Sequence, residues 1–366
     1  MKVIAQTAAL QEALALASSI VAVRTPKPVL QCVKLEARGK ALTVLATDLE
    51  AGCRYVVAQV EVKQEGEALV PVQKFADIVR EAAGEETLTI SAKADACEIT
   101  GAGSRFSLRT FDPAEYPAVA DFEDPGDFQV AAEALTGAIE RTLFAVARAH
   151  SHYAISGVLW EASKKKLQLV ATDGHRLALA KAPLPKAAAR EVSAIVPGKL
   201  MALLQRAAAA AEENLAVKVT ETQILIRTAR AVLISTLVTG NFPKYSDVIP
   251  AECSRKATIG AEVFLHRLRQ AALLTDEESR GVRLAFGPEE LTLTSRAPET
   301  GSAEVTLPVK FSGEALEIAF NPVFLIDALR VVQADEVTLE LGEANKPAVL
   351  KSGTDFLYVV MPVDLS

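Results

Sequence analysis

An α+β chain made of three tandem, similar domains is what the sequence predicts, and three observations carry that reading. Short passages recur at intervals of about 125 residues. Segments with apolar residues three and four apart recur in matching pairs, as helices with one core face do. Between them lie alternating or apolar runs bounded by turn residues, the pattern of antiparallel sheets.

The repeats fix the order of elements. A strand ending in a small polar turn begins at Leu42 (LTVLATD), Leu167 (LQLVATD) and Leu291 (LTLTSRA), positions 125 and 124 residues apart. A strand entering a helix recurs as VPVQKFADIVR from Val70, VPGKLMALLQR from Val196 and FNPVFLIDALR from Phe320, spaced by 126 and 124 residues. A β-rich run that meets proline, which cannot continue a ladder, closes each unit: FSLRTFDPAEYP from Phe106, LISTLVTGNFPKY from Leu233 and FLYVVMPVDL from Phe356. Opening helices are predicted in TAALQEALALASSIVAV, AAEALTGAIERTLFAVAR and GAEVFLHRLRQAALL. The predicted domains are 1–122, 127–250 and 253–366, each a strand, a helix, several strands, a second helix and more strands.

Composition narrows the function classes. The 366 residues are half apolar, enough for two or three cores, and no run approaches the roughly 18 apolar residues that span a bilayer. A cytoplasmic protein is the expectation. Cys32, Cys53, Cys97 and Cys253 are scattered without metal-ligand spacing, which predicts buried free thiols rather than disulfides or a metal site. A net charge of -7 argues against a uniformly basic surface but leaves room for an acidic exterior with a basic inner face.

Basic residues recur sparsely on the helices: Lys74 and Arg80, Arg141 and Arg148, Lys199 and Arg206, Arg267 and Arg269, and Arg330. Each alone is an ordinary solvated cation; recurrence at equivalent places suggests a surface for phosphates. The segment Thr172-Asp173-Gly174-His175-Arg176-Leu177 places Asp, His and Arg together and leaves a hydrolase using Asp173 and His175 open. Its counterparts, TDLE and TSRA, point instead to a repeated scaffold turn. His150 and His152 form an HxH without an evident third ligand, and Lys164–Lys166 reads as a solvated hairpin turn. Neither a Walker loop nor a dinucleotide fingerprint is present, and no cofactor is expected.

Over essentially its whole length the chain resembles the β sliding clamps of bacterial DNA polymerase III. The residues that carry the resemblance are VRTPKPVLQCVKLEA with Arg24, TDLE at 47–50, ATDGHRLALA at 171–180, GNFPKY at 240–245, RGVRL at 280–284 and the terminal YVVMPV. It implies three copies of a DNA-clamp domain per chain, antiparallel sheets outside and two helices per domain inside, with two chains closing head to tail into a ring. The function it implies is non-catalytic: encircling double-stranded DNA without reading sequence and tethering the replicative polymerase.

The resemblance also assigns residues. The joint would pair SRFSLR at 104–109 with the edge near ETGSAEV at 299–305, bringing Phe106 and Leu108 onto Leu273 and Leu274, with Arg105 and Lys74 facing Glu299 and Glu304. Contacts to DNA fall to Arg24 and Tyr153 beside the helix cations. Gln73, Ala149 and Ala154 replace longer groups of some relatives. A groove for short linear motifs of polymerases, the clamp loader and repair proteins would comprise Ile155, Thr172, Gly174, His175, Arg176, Leu177, Pro243, Asn321, Phe324, Val360, Met361, Pro362 and Val363. Asp247 and Asp364 stand where familiar relatives carry arginine, and Ser279 replaces an aromatic residue, so the rim departs from the pattern. A clamp paralogue serving as repair scaffold or inhibitor decoy is the alternative within the same fold.

Overall fold

The computed structural model describes the chain except residues 23, 94, 148–152, 209–213, 276–280 and 365–366. Six α-helices occur among the described residues: α1 (Thr7–Ile20), α2 (Val72–Glu81), α3 (Ala132–Leu143), α4 (Gly198–Ala208), α5 (Ala261–Ala271) and α6 (Pro322–Arg330). Three lie in the opening segments predicted by apolar spacing and three in the recurring strand-into-helix passages, with α2 and α4 running one and two residues past them. In α1 the buried residues Leu10, Ala13, Leu14, Ala17 and Ile20 recur at three and four; α2 buries Val72, Phe75 and Val79 in the same way. Each such large apolar side chain taken from water contributes roughly 1.5–3 kcal/mol, which offsets the weak intrinsic helicity of segments this short.

The chain divides into two compact units, and the middle repeat contributes residues to both. The first unit, residues 1–136, 184–192 and 199–237, holds two sheets. One is five-stranded, in the order Val60–Gln64, Lys2–Gln6, Thr87–Lys93, Ala96–Thr100, Arg105–Arg109. The other has eight strands, and at its centre Ala231–Thr236 of the second repeat pairs antiparallel with Ala51–Val57 of the first, Leu233 opposite Cys53. Helices α1 and α2 pack on one another.

The second unit, residues 137–183, 193–198 and 238–366, repeats this plan. Its nine-stranded sheet is joined where Arg176–Pro183 of the second repeat pairs with Phe356–Val360 of the third, Ala178 opposite Tyr358. Its four-stranded sheet runs Gly301–Pro308, Glu290–Ala297, Val282–Phe286, Leu316–Phe320. Thus the strand that follows the Thr-Asp turn of one repeat pairs with the last strand of the next. By that rule Arg105–Arg109 and Gly301–Pro308 are the two strands left over, and each ends its sheet.

All four thiols are free; Cys32, Cys53 and Cys97 are buried as expected, whereas Cys253, in the link before the third repeat, is only half-buried. Desolvation pushes each of these three up to about 12, which leaves them unreactive at neutral pH. The lysine run at 164–166 forms the predicted hairpin between Gly157–Ser163 and Lys166–Thr172, with Lys164 at φ 50°.

Candidate functional site

The Thr172–Arg176 turn is built by its own side chains. Thr172 donates its hydroxyl to the Arg176 carbonyl (2.7 Å) and accepts from the Gly174 amide (3.1 Å). Asp173 Oδ1 accepts from the amides of His175 (3.0 Å) and Arg176 (3.1 Å), an Asx turn closed by glycine at φ 90°. In the first repeat, Thr47 and Asp48 hold Leu49, Glu50 and Ala51 by the same set of bonds, with Leu49 at φ 81°. The turn is therefore repeated scaffold.

Arg176 locks the turn to its surroundings. Its guanidinium donates to Asp173 (2.9 Å), Asp327 (2.8 Å) and the Phe144 carbonyl (2.9 Å) and lies 4.6 Å over the Phe324 ring. Burial alone would lower its pKa; the bonds to Asp327 and Asp173 outweigh that, and the net direction is upward. The His175 ring stacks on Phe324 at 6.2 Å. Both Asp173 oxygens are thus engaged by the turn and by Arg176, which removes the base that a hydrolase at Asp173 and His175 needs. That alternative is corrected to a structural role.

Beside the turn lies a groove of about 740 Å³. Of the residues assigned to it from sequence, Ile155, Thr172, Gly174, His175, Arg176, Leu177, Pro243 and Met361 line it. The other five sit elsewhere. Asn321 caps α6 by accepting from the Val323 amide (3.0 Å), and Phe324 buttresses His175 and Arg176. Val360 is fully buried opposite Arg176, whereas Pro362, Val363 and Asp364 border a neighbouring hollow of about 500 Å³ with Arg283. Sequence reasoning missed Ala154, Thr239, Gly240, Asn241, Lys244, Tyr245, Val248 and Val359 as lining residues; the GNFPKY motif was the signal available for four of them. Val248 is 49% exposed and Met361 41%, so the wall presents apolar surface to water. The Tyr245 hydroxyl donates to Glu161 and accepts from Gln168, both at 2.6 Å, and burial with the Glu161 contact pushes the phenol up to about 12. Asp247 lies exposed in the short turn Tyr245–Val248.

The cations expected to meet DNA have varied surroundings. Arg24, Lys74, Arg80 and Arg206 are exposed. Arg80, Arg206 and Arg330 each occupy the last turn of the second helix of their repeat, where a cation also suits the helix dipole. Arg80 pairs with Asp77. Arg141 folds back onto the Gly137 carbonyl (3.1 Å). Lys199 is engaged by Asp48 and by the Ile20 carbonyl (3.1 Å), so a phosphate there competes with a protein carboxylate. Arg148, His150, His152 and Ser279 lie outside the described residues, as does the Tyr153 side chain.

The residues expected at a joint between chains lie on the leftover strands or beside them. Phe106 is 40% exposed and Leu108 half-buried on one edge strand; Arg105 pairs across it with Glu98 (2.8 Å). Leu273, 81% exposed, and half-buried Leu274 form a short turn after α5, and Glu299 and Glu304 are exposed.

Fold and site together define a sheet-rich protein of three like domains with an apolar, peptide-sized cleft. Three family descriptions match it in tandem: the DNA polymerase III beta subunit N-terminal domain over residues 1–120, the central domain over 129–244 and the C-terminal domain over 246–364. A beta sliding clamp of Pseudomonas putida is 32% identical over 364 residues, covering 98% of this chain and 99% of that one. One of Chlamydia muridarum is 31% identical over 347 residues, covering 95% and 94%. The crystal structure of the Bacillus subtilis sliding clamp superposes with a TM-score of 0.95 at 26% identity, each chain covered completely. A Pseudomonas aeruginosa sliding clamp bound to griselimycin gives 0.94 at 30%, again over all of both chains. The chain belongs to the DNA polymerase III beta subunit family.

Proposed function

We propose that this protein is a non-catalytic processivity clamp of the bacterial cytoplasm. Two copies close head to tail into a ring around duplex DNA, and the groove beside Thr172 and Met361 holds short peptide segments of the replicative polymerase, the clamp loader, other polymerases and repair proteins. The observation that carries the ring is the pairing rule between repeats. Two joints use one kind of strand pairing, and a third of the same kind between Arg105–Arg109 of one copy and Gly301–Pro308 of the other would use up both leftover edges. A heterologous contact of this sort must close or polymerise, and closure also removes an edge that invites aggregation. Domain boundaries at 1–122, 127–250 and 253–366 go with this reading.

Inside the ring, Arg24, Lys74, Arg80, Arg141, Arg148, Lys199 and Arg206 would attract phosphates, and the Tyr153 hydroxyl would donate to one, without fixing on bases, which permits sliding. No observation among the described residues favours the repair-scaffold or decoy alternative. The deciding experiment loads the protein onto nicked circular DNA with its clamp loader and then linearises the DNA. Retention on the circle and loss on linearisation is the expected result; equal retention on both refutes topological holding.

A further inference from the structure

The first two repeats place equivalent tyrosines differently, and the difference decides whether the space under the Thr-Asp turn is filled. In the first repeat Tyr116 is buried: its hydroxyl accepts from the Thr47 amide (3.0 Å) and donates to the Cys32 carbonyl (3.2 Å), and its ring packs on Leu45 and Leu69. Val119, three residues on, packs against the same cluster. In the second repeat Tyr245 also precedes a valine by three, above Val170 and Ile195, which correspond to Leu45 and Leu69. Yet its hydroxyl is held at 2.6 Å by both Glu161 and Gln168, and Val248 stays exposed on the groove wall.

Two residues near the phenol differ in identity or engagement between the repeats. Glu161 corresponds to Glu36, which in the first repeat is engaged by Lys34 (3.2 Å) and Arg54 (3.9 Å). Gln168 corresponds to Thr43, whose side chain is too short to make the equivalent reach. A phenol raised to about 12 remains a protonated donor at neutral pH, so the Glu161 bond persists there.

We propose that Glu161 and Gln168 hold Tyr245 as a post that keeps the groove open, and that freeing the phenol lets the wall at 240–248 settle onto the Thr172 turn, as the Tyr116 segment settles onto Thr47. Tyr245 is a positioning residue, and the proposal rests on the groove being the peptide site. A closed wall leaves only a fraction of molecules competent, so the apparent association rate is multiplied by that fraction while the bound state, once formed, is unchanged.

The test is stopped-flow binding of a fluorescein-labelled peptide carrying the replicative polymerase's clamp-binding segment to the full-length protein. Tyr245→Phe, Glu161→Leu and Gln168→Thr are each expected to lower the association rate about tenfold at constant dissociation rate, with Tyr245→Phe and Glu161→Leu non-additive together. Glu161→Gln, which still accepts a hydrogen bond, should bind nearly as the parent does. An unchanged association rate in both Tyr245→Phe and Gln168→Thr overturns the proposal, as does an effect confined to dissociation, which would make Tyr245 a direct contact. Val248→Arg, at an exposed wall position, separates the two ideas: if it binds the peptide as well as the parent, the groove assignment itself fails.

Discussion

Arg176 commits its guanidinium to two carboxylates, a carbonyl and an aromatic face while only 10% of its side chain meets solvent. Removing it leaves Asp327 with Arg330 alone (3.6 Å) and takes the partner from one oxygen of Asp173, so Arg176→Ala should cost about 2 kcal/mol in urea unfolding. Lysine cannot reproduce the fork, and Arg176→Lys should recover less than half of that. Leu49 illustrates the opposite case: an exposed leucine holds φ 81° where the equivalent turn uses Gly174. A left-handed leucine costs roughly 1–2 kcal/mol, so Leu49→Asn should raise the unfolding free energy by about 0.5–1 kcal/mol. Cys53 gives a pH dependence. Its pKa rises from an ordinary value of 9.0 to about 12 on folding, so between those values the folded chain binds the extra proton. Stability from this group is complete below pH 9 and declines by about 1.4 kcal/mol per pH unit above it. Chemical denaturation at pH 8 and pH 10 should show a smaller alkaline loss in Cys53→Ala.

At the scale of elements, legibility follows distance along the chain. The six helices were readable because apolar spacing is local, as in Leu10, Leu14 and Ala17 of α1. The Thr172–Leu177 side of the groove was readable for the same reason, since six consecutive residues make the turn. The placement of the Tyr245 hydroxyl was not, because it is held by Glu161 and Gln168, 84 and 77 residues away, although the GNFPKY motif pointed to the segment. Lys199 likewise reads as a free cation until Asp48, 151 residues distant, is found beside it. The leftover strands lie between these extremes: SRFSLR and GSAEV are visible as β segments, but only the pairing rule makes them edges. If these edges form the joint, charge placed at its apolar centre should open it. Phe106→Asp with Leu273→Asp should halve the mass seen by light scattering at micromolar concentration and leave the far-ultraviolet circular dichroism unchanged, both side chains being exposed within one chain.

For the whole molecule, a net charge of -7 and a partner that is a polyanion pull in opposite directions. Long-range attraction cannot hold such a protein on DNA, because phosphate neutralisation weakens steeply with salt and the cations here are few and partly committed, Lys199 to Asp48 and Arg80 to Asp77. A closed ring escapes this limit, since leaving a circle requires opening a joint rather than outcompeting counterions. The two modes separate by salt. Equilibrium binding to short linear duplex should be weak and should fall steeply between 50 and 200 mM salt, with a slope set by the handful of phosphates contacted. Lifetime on loaded circular DNA over the same range should change little, tracking the joint instead, and should collapse in the Phe106→Asp, Leu273→Asp variant. Parallel salt dependence of the two measurements, with light scattering showing the dimer intact over the same range, would mean that charge, not enclosure, retains the protein on DNA.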